Sequence, residues 1–551
     1  MLTVFATLTK LLFVFAYGAC VGSLINVLVY RMPLGLNVVT PSSRCPRCRT
    51  VLSWKDNIPV LGWLRLAGRC RYCRSPISPE YPIVEAITGL LFVLAYAVIF
   101  GPEWWFGAGD VSILGVPWEQ FQPEWAQRGA EQAWPFLVLI FVLIGSLGAV
   151  TIIDARTFMI PLILVWIPTV LSVVVHVGMA VIWQTRAPWR ITTAEGWSYA
   201  IASPGPEGWR WAGAAIGGVV GLGISALAVK LGLMRQSYAD YDEWERHARA
   251  ERGLPEPAEP AAASDDDPDD ATEDSEPTAP IDPEVPPERP PWPWAQVRIT
   301  AACALVFAIT GGLLAPSAGA VPLAGVLAGL FVTPIAAGLL VRVLVKQPSA
   351  ADSADATCDE AGGSGQGEGD PSDMWLMYPH ARRESLKEIV FIGPALGLAV
   401  IGAWLFGVMA GPWEVNPIDP AVLSPATQMP LWLDALAGVL LGYLIGGGIV
   451  WAVRILGSLA YGKEAMGIGD VHLMAAVGAC LGWIDPVLAF FVAAFLALWI
   501  ELIKRCWPGG EARGAMPFGP ALAGATLIVF FAKLWFEDGL GSLMGRALSL
   551  P

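Results

Sequence analysis

Apolar runs of about 20 residues recur along this chain and restrict the folds open to it, because a helix of that length crosses the hydrocarbon core of a bilayer. The runs lie at 4–30, 82–101, 135–153, 160–183, 211–233, 298–315, 321–343, 388–410, 433–455, 471–483, 485–503 and 517–536. They are continuous, whereas a membrane β-barrel has segments of about ten residues with alternating hydrophobicity. The sequence therefore predicts an all-α polytopic membrane protein with about twelve transmembrane helices.

The composition excludes a water-soluble globular protein, since 55% of the 551 residues are hydrophobic and 15% are charged. The net charge of -14 originates in one segment, because residues 236–290 contain 18 acids and 4 Lys or Arg. This proline-rich and acid-rich composition predicts a disordered linker over 234–297, with a docking tail as the alternative. A second flexible linker is predicted at 344–387, and an inserted transmembrane hairpin at 298–343 lies between the two.

The first apolar run predicts a retained transmembrane helix over residues 1–30 rather than a cleaved signal peptide, since the run continues past Cys20. The loop that follows contains nine Lys or Arg between Arg31 and Arg74 and a single acid, Asp56. Cytoplasmic loops of membrane proteins are enriched in positive charge. This loop is therefore predicted to be cytoplasmic, and the N-terminus is predicted to lie outside.

Two CxxC pairs, CPRC at 45–48 and CRYC at 70–73, lie in this loop and are separated by 21 residues. Four thiolates with such a spacing are typical of a structural zinc site, and a redox disulfide is the alternative. A cytoplasmic face is reducing, which favours the metal. The sequence therefore predicts a small zinc-ribbon-like loop over residues 31–81. The predicted ligands are Cys45, Cys48, Cys70 and Cys73.

Two glycine-rich segments resemble each other: GAAIGGVVGLG at 213–223 and GVLLGYLIGGG at 438–448, with an offset of 225 residues. Glycine at every fourth position leaves a smooth helix face that another helix can approach closely. Internal duplication is one interpretation, and ordinary packing of a membrane helix is the other. The second copy alone is followed by a glycine-aspartate loop, so the first copy does not predict a second site of the same kind.

Acids at the ends of membrane helices are candidate functional residues. Asp154 ends the third apolar run, within transmembrane helices predicted over 82–233, and Asp470 begins the tenth, within those predicted over 388–551. Counting the spans alternately from an outside N-terminus places both acids on the cytoplasmic side. Two carboxylates at the same depth on different helices can share a proton and activate a water molecule against a peptide carbonyl.

Simpler roles also account for each of these acids. Asp154 can cap the next helix or pair with Arg156, and Asp470 can be a helix N-cap. Glu85 is a third acid close to the membrane, so charge alone does not select the pair. A proton-coupled transporter also uses acids within its membrane helices. The acids by themselves do not decide between an enzyme and a transporter.

The sequence resembles the bacterial prepilin peptidases, the bifunctional membrane enzymes of type IV pili and type II secretion, in six separate places. These are GSLINVLVYRMP at 22–33, the CPRC and CRYC pairs, ISPEYPIVEAITG at 77–89, IDARTFMIP at 153–161, YGKEAMGIGDVHLMAAVGACLGW at 461–483 and GAMPFGPALA at 514–523. The matches keep their order across almost the whole chain. A lone GxGD would be a weak signal, whereas six ordered matches are specific.

The resemblance implies a GxGD-type aspartic endopeptidase whose catalytic pair is Asp154 and Asp470. It implies cleavage of the short basic leader of prepilins and pseudopilins at the cytoplasmic face of the bacterial inner membrane. The new N-terminus would then be methylated by S-adenosylmethionine, whose binding residues are unknown because no glycine-rich nucleotide loop is visible. Gly467 and Gly469 would let the loop backbone turn tightly and approach the scissile peptide.

The chain departs from the family at His472, where a lysine is usual. The histidine can supply a partial positive charge beside the pair or can face the helix interior. The family resemblance implies an eight-helix core, to which this chain adds about four inserted helices between the aspartates. The complete four-cysteine loop favours the methylating subclass over relatives that lack the loop.

The expected partners are prepilin or pseudopilin substrates, the lipid bilayer, and the pilus or type II secretion assembly machinery. No nucleic-acid partner is expected. Two other functions compete with the peptidase. One is a transporter with a zinc-ribbon loop, in which Asp154 and Asp470 relay protons. The other is a scaffold for pilus assembly without catalysis, against which the two intact aspartates argue.

Overall fold

The protein is built from helices, as the continuous apolar runs predict. The computed structural model describes residues 2–40, 42–100, 112–113, 116–117, 126, 130–186, 192–193, 196–197, 201, 203–204, 207–241, 243–244, 246–247, 380–415, 423–462, 464–506 and 517–544. The helices in these ranges are α1 (Leu2–Arg31), α2 (Leu61–Arg65), α3 (Glu80–Phe100), α4 (Ala130–Thr157), α5 (Leu162–Arg186), α6 (Gly208–Lys230), α7 (Ala381–Met409), α8 (Leu431–Tyr461), α9 (Ile468–Leu481), α10 (Ile484–Cys506) and α11 (Gly519–Met544).

Within the described ranges, small antiparallel sheets lie in three of the connections between helices. Each sheet has two strands. The pairs are β1 (Ser112–Ile113) with β2 (Val116–Pro117), β3 (Thr192–Thr193) with β4 (Gly196–Trp197), and β5 (Trp413–Val415) with β6 (Leu423–Pro425). These hairpins leave the all-α character of the membrane region unchanged.

Eight of the helices are long and apolar enough to span a membrane, and the number rises to nine if the two halves of α11 form one bent span. The expected number of about twelve is therefore not confirmed over the described residues. The runs predicted at 298–315 and 321–343 lie outside those residues. The run predicted at 471–483 forms α9, whose 14 residues are too few for a complete crossing. Helix α11 bends by 84° between Lys533 and Trp535.

The predicted linkers lie mostly beyond the described ranges. The acidic linker at 234–297 is described as far as residue 247, and the inserted hairpin at 298–343 lies wholly outside the described residues. Helix α7 begins at Ala381, within the linker predicted at 344–387. The first turns of α7 are polar, which suggested a linker, but several of their charged side chains are paired inside the protein.

The largest apolar core surrounds the short helix α9. Ten of its 14 residues are buried, and it packs against α4, α5, α8, α10 and α11. Phe136 and Leu139 of α4 and Met474 and Val477 of α9 are fully buried in this core. A second, smaller core lies between α6, α7 and the start of α8. Helix α9 is therefore held by tight packing along most of its surface.

The two glycine-rich segments bring helices into backbone contact, as their spacing predicts. A Cβ atom added to Gly442 of α8 would lie 2.0 Å from the carbonyl oxygen of Gly478 on α9. A Cβ atom added to Gly217 of α6 would lie 2.1 Å from the carbonyl oxygen of Leu398 on α7. Such distances leave no room for a side chain, so both contacts require glycine. Helix α8 thus packs on α9 and α6 packs on α7 in the same manner.

Candidate active site

The GxGD loop, residues 464–470, leads into the first turn of α9. Gly467 is the N-cap of this helix and has an extended backbone, with φ -69° and ψ 147°, so Asp470 occupies the third helical position. The buried carboxyl group of Asp470 reaches back to the backbone N–H of Gly467. This contact satisfies one of the free N–H groups at the helix start. Asp470 is therefore not the N-cap itself, but it stabilises the start of α9.

Asp154 lies inside α4, one turn before the helix ends at Thr157, and is buried. Its Oδ2 atom accepts a hydrogen bond from the backbone N–H of Gly519 at 3.1 Å. Gly519 is the first residue of α11, and the N-terminus of a helix favours a negative charge. A Cβ atom on Gly519 would lie 2.5 Å from that Oδ2 atom, so the position requires glycine. Asp154 does not cap α5, because it lies within α4.

The fold places the two aspartates near enough for the charge of Asp154 to act on the carboxyl group of Asp470. Gly469 packs against Ile160 in the connection after α4, where an added Cβ atom would lie 2.9 Å from the Cβ of Ile160. Neither Gly467 nor Gly469 has a positive φ. Gly469 therefore serves a close approach between the two aspartate-bearing segments rather than a left-handed turn.

The other acids near the membrane have structural partners. Arg156, the alternative partner of Asp154, forms an ion pair with Glu80 at the start of α3. Glu85 of α3 accepts a hydrogen bond from the backbone N–H of Val60 at 2.7 Å. Glu85 thus attaches the cysteine-containing loop to a membrane helix, and its role differs from that of the aspartate pair.

His472 follows Asp470 by two residues on α9 and is half-buried. Residues at positions i and i+2 of a helix point in different directions. The side chain of His472 is therefore directed away from that of Asp470. This arrangement favours a role in helix packing over a positive charge beside the pair.

A buried ionic cluster lies beside the GxGD loop. Arg454 of α8 is 3% exposed, and its Nε donates a hydrogen bond to Glu388 of α7 at 3.0 Å. Its Nη1 contacts the Glu464 carboxylate and the carbonyl oxygen of Met466, both in the GxGD loop. The guanidinium carbon lies 5.0 Å from the centre of the Tyr238 ring. Arg454, Glu388, Glu464 and Tyr238 are named the Arg454 cluster below.

The charges of this cluster act on each other and on the candidate site. Burial raises the pKa of Glu464 to about 7, although the neighbouring Arg454 opposes the shift. Burial likewise raises the pKa of the Tyr238 phenol. The charge of Arg454 also acts on the carboxyl group of Asp470. Sequence reasoning missed this cluster, although the pairing of ionisable residues inside membrane helices is a signal that would have found Arg454 and Glu388.

The four cysteines predicted as zinc ligands converge on one point. Their Sγ atoms all lie within 4.8 Å of one another, and the Cys45 and Cys73 sulfurs are 3.7 Å apart. Four sulfurs bound to tetrahedral zinc at about 2.3 Å are about 3.8 Å apart, so the site has the right size. A hydrogen bond from the Ser75 hydroxyl lowers the pKa of Cys73 to about 6, which favours the metal-binding thiolate. All four are free thiols, contrary to the disulfide alternative.

Each CxxC pair forms the same turn around its cysteines. The N–H of Arg49 donates to the Cys45 carbonyl oxygen at 2.9 Å, and the N–H of Arg74 donates to the Cys70 carbonyl oxygen at 3.0 Å. Arg49 and Arg74 both have a positive φ, of 56° and 59°. The two halves of the site are thus local copies of one geometry, which presents two sulfurs from each side.

Comparison with known proteins first relates part of the chain to a class of peptidases. Residues 16–99 match the family described as the Bacterial Peptidase A24 N-terminal domain. The matched range contains the second half of α1, the cysteine-containing loop and nearly all of α3. It ends before Asp154 and Asp470, so the two aspartates lie outside the matched range. No solved structure matches the chain.

Individual relatives are also similar to this chain. It is 58% identical over 80 residues to the prepilin leader peptidase/N-methyltransferase of Myxococcus xanthus (strain DK1622). The aligned segment covers 14% of this chain and 24% of that protein. The chain is 51% identical over 89 residues to the prepilin leader peptidase/N-methyltransferase of Klebsiella pneumoniae, covering 15% and 39%. It is 33% identical over 149 residues to the type 4 prepilin-like proteins leader peptide-processing enzyme of Escherichia coli O78:H11 (strain H10407 / ETEC), covering 20% and 55%.

The aligned parts of the chain thus span from 24% to 55% of the length of these relatives. The resemblance to bacterial prepilin leader peptidases that the motifs indicated is confirmed. The alternative of a proton-coupled transporter is not supported by these relatives.

The structure also shows a contact to the candidate site that sequence reasoning missed. The segment GAMPFGPALA contributes the backbone N–H of Gly519 to Asp154. A backbone donor has no side-chain signature, so residue types alone do not reveal it. The glycine and the proline at the first two positions of α11 are the signal that a helix begins there.

Proposed function

We propose that this protein is a membrane aspartic endopeptidase of the GxGD type, which removes the leader peptide from type IV prepilins and type II secretion pseudopilins. Its relatives in Myxococcus xanthus and Klebsiella pneumoniae are named prepilin leader peptidases. The observation that supports the proposal is the close packing of Gly469, next to Asp470, on Ile160 in the connection after α4, which brings the buried Asp154 and Asp470 within range of each other's charge. Each carboxyl group also accepts a backbone N–H at the start of a helix.

The proposed reaction follows from the proximity of the two carboxyl groups. Two close carboxylates do not both ionise at low cost, so the pair shares one proton. The ionised member removes a proton from a water molecule, which attacks the carbonyl carbon of the scissile peptide bond. The protonated member donates to the carbonyl oxygen, and the proton taken from water is passed to the leaving amine. The backbone N–H groups of Gly519 and Gly467 hold the carboxyl groups of Asp154 and Asp470 in place.

Substitution of each aspartate by asparagine tests the proposal. Asparagine keeps the size of the side chain and an oxygen for the backbone N–H, but it cannot carry the shared proton. With a purified prepilin, the wild type should release the leader, and Asp154→Asn and Asp470→Asn should each be slower by at least about 1,000-fold. Mass spectrometry of the product reports cleavage.

A matched control is Asp434→Asn, because Asp434 is also a buried aspartate, and it binds Ser203 near the start of α8 rather than the pair. This variant should cleave at the wild-type rate. The proposal would be contradicted if the wild type left the leader intact, or if either Asn variant of the aspartate pair cleaved at the normal rate.

N-methylation of the new N-terminus is the second activity that we propose, with S-adenosylmethionine as the methyl donor. The relatives named above as prepilin leader peptidases are also named N-methyltransferases. Labelled S-adenosylmethionine should transfer its methyl group to pilin cleaved by the wild type. Asp154→Asn should transfer no label to intact prepilin but should label pilin that was cleaved beforehand. Mature pilin that stays unlabelled in both reactions would contradict methylation.

The four-cysteine site is proposed to hold a structural zinc ion, bound by the thiolates of Cys45, Cys48, Cys70 and Cys73. Support comes from the sulfur separations and from the free state of the thiols. The wild type should contain about one zinc ion per chain by elemental mass spectrometry, and Cys70→Ser should lose it. Cys20→Ser, which removes a thiol in α1, should keep the metal. Equal metal content in the two variants would contradict the proposal.

We also propose that the protein lies in the bacterial inner membrane, with its N-terminus outside and the aspartate pair at the cytoplasmic face. Support comes from the nine positive charges between Arg31 and Arg74. Lys55 in this loop is exposed. An amine reagent that does not cross membranes should modify Lys55 in inverted vesicles and not in intact spheroplasts. The pilus or type II secretion assembly machinery is then a candidate neighbour on the same membrane.

A further inference from the structure

One buried side chain connects two helices to the GxGD loop. Arg454 of α8 donates through Nε to Glu388 of α7 at 3.0 Å. Through Nη1 it contacts the carboxylate of Glu464 and the carbonyl oxygen of Met466. Met466 precedes the helix start that carries Asp470. The guanidinium group therefore lies between a membrane helix on one side and the segment before the candidate catalytic residue on the other.

The loop itself needs such a contact. Gly467 and Gly469 give its backbone more freedom than other residues would. Ser458 of α8 restrains the loop by accepting the N–H of Ala465 at 3.1 Å. Arg454 adds two further contacts, one before and one after Ala465, so the loop is held to α8 over its whole first half.

The other side of the guanidinium group is also fixed. Trp451 donates through its indole N–H to Glu388 at 2.9 Å, which orients the carboxylate that binds Arg454. The ring of Tyr238 covers the guanidinium group. An arginine has a planar set of five donors and can bind these groups at once, whereas a lysine ammonium cannot reproduce that geometry.

We propose that Arg454 is a positioning residue for the cleavage reaction: Glu388 fixes its guanidinium group, and the guanidinium group fixes the GxGD loop so that Asp470 meets Asp154. Arg454 acts through the loop rather than on the substrate. The inference rests on the proposed function, because it concerns the same aspartate pair. It gives α7 a role in catalysis, although α7 contains neither aspartate.

A purely structural role is the competing explanation, since a buried ion cluster stabilises a fold whether or not it serves a reaction. That role would reduce the amount of folded protein but would leave the folded fraction with a normal kcat. Positioning would lower kcat while KM stays the same, because the substrate still binds but the aspartates are misplaced. The two explanations therefore differ in a measurable way.

Kinetics of purified, folded variants provide the first test. Arg454→Gln removes the charge and most donors, and it should lower kcat by about 100-fold with KM changed by less than about threefold. Arg454→Lys keeps the charge and should lose about tenfold in kcat, so the conservative change rescues part of the activity. Glu388→Gln should fall between these two, because the glutamine still accepts one hydrogen bond.

Arg382→Gln is the matched control. Arg382 of α7 also reaches the end of α8, where its Nε donates to the carbonyl oxygen of Leu459 at 3.1 Å. It binds the helix end and not the GxGD loop, so its replacement should leave kcat at the wild-type value. A normal kcat in Arg454→Gln, or an equal loss in Arg382→Gln, overturns the proposal.

Hydrogen exchange provides a second test that does not need a substrate. In Arg454→Gln and Glu388→Gln, the amides of residues 464–470 should exchange faster than in the wild type, while those of α3 should not change. Unchanged exchange in the loop overturns the positioning role, whatever the enzyme does to prepilins. Faster exchange together with a wild type that cleaves no prepilin would refute the proposed function and leave the loop contact standing. If Arg454→Lys, Arg454→Gln and Glu388→Gln all fail to fold, the cluster is a folding determinant and the proposal is overturned.

Discussion

Two pairs of helices in this protein pack by the same contact but differ in their surroundings. In the pair α8 and α9, a Cβ atom on Gly442 would lie 2.0 Å from the carbonyl oxygen of Gly478. In the pair α6 and α7, a Cβ atom on Gly213 would lie 2.1 Å from the carbonyl oxygen of Gly402. Helix α9 has ten of 14 residues buried, whereas 6% of the most apolar part of α7 is buried. The same glycine contact thus serves a central helix and a peripheral one.

The comparison shows that the close glycine contact between helices is independent of what each helix pair contributes to the candidate site. Close contact through glycine carries no chemistry of its own, and the position of the partner helix decides what the contact does. Helix α9 brings Asp470 toward Asp154, while α7 brings Glu388 toward Arg454. The peripheral pair therefore supports the central pair through an ionic contact instead of contributing an aspartate.

The largest difference between the pairs is expected from Gly442→Ala and Gly217→Ala. Each change adds a methyl group against a backbone carbonyl and should cost about 1–3 kcal/mol of stability. Gly442→Ala should also lower prepilin cleavage by at least about 100-fold, because it displaces the helix that carries Asp470. Gly217→Ala should keep cleavage within about tenfold of the wild type. Thermal unfolding and cleavage rates measure both effects.

Both helices offer a control for this experiment. Gly448 of α8 and Gly223 of α6 occupy equivalent places in the two segments, and an added Cβ atom meets nothing within 4 Å at either. Alanine at these positions should leave cleavage unchanged. Similar losses of cleavage from Gly442→Ala and Gly217→Ala would remove the distinction between the central and peripheral pairs.

A glycine outside both pairs extends the comparison, because a side chain added there would crowd a carboxyl group rather than the backbone of another helix. Gly519→Ala places a methyl group 2.5 Å from Oδ2 of Asp154 and should slow cleavage by about 100-fold with a small change in thermal stability. Gly524→Ala on the same helix meets the end of a flexible Leu496 side chain at 3.2 Å and should cleave normally. Cleavage by Gly519→Ala at the wild-type rate would show that the contact with Asp154 is dispensable.

A serine in each region tests the comparison at the level of single hydrogen bonds. Ser458 of α8 accepts the N–H of Ala465 in the GxGD loop at 3.1 Å, and Ser225 of α6 donates to the Phe391 carbonyl oxygen of α7 at 2.6 Å. Each serine-to-alanine change should cost about 1 kcal/mol of stability. Slower cleavage is expected from Ser458→Ala alone, by about threefold. If Ser225→Ala slows cleavage as much, the peripheral pair is more closely coupled to the site than its position indicates.

The smallest expected effect is on the pH dependence of stability, through Glu464 in the connection between α8 and α9. Burial raises its pKa from 4.5 to about 7, so the folded protein binds this proton more tightly than the unfolded chain does. The stabilisation from this group is therefore complete below about pH 4.5 and is lost as the pH rises through about 7. Glu464→Gln should flatten the fall in unfolding temperature between those values, whereas the exposed Glu207→Gln should not. Parallel curves for wild type and Glu464→Gln would contradict the shift.

Much of the architecture is predictable because it depends on residue types at regular spacings. The apolar runs predict the long helices, the CxxC pairs predict the cysteine cluster, and the glycine spacing predicts the close helix contacts. The electrostatic contact between Asp154 and Asp470 follows less directly, since sequence gives the acids and the family resemblance gives their pairing. These features share one property: the side chains that form them can be recognised in the sequence by their type and spacing.

Other features depend on three-dimensional neighbours that a sequence does not display. The bond from Gly519 to Asp154 uses a backbone N–H, and the partners of Arg454 come from α7 and from the GxGD loop. The length of the apolar runs also does not settle the number of spans, because α9 is apolar but short and α11 is long but bent. Polar residues at the start of α7 suggested a linker, since their pairing with Arg454 and with each other is a property of the folded chain.

Helix α9 is too short to cross the hydrocarbon layer, and its length has a consequence for the access of water. Its 14 residues extend about 21 Å, compared with about 30 Å for the hydrocarbon layer. Helix α10 is long enough to cross and begins at Ile484, close to the end of α9 at Leu481. Helix α9 is thus about 9 Å shorter than the hydrocarbon layer is thick. The hydrolysis that we propose consumes water, and a helix shorter than the hydrocarbon layer would shorten the path by which water reaches the aspartate at its start.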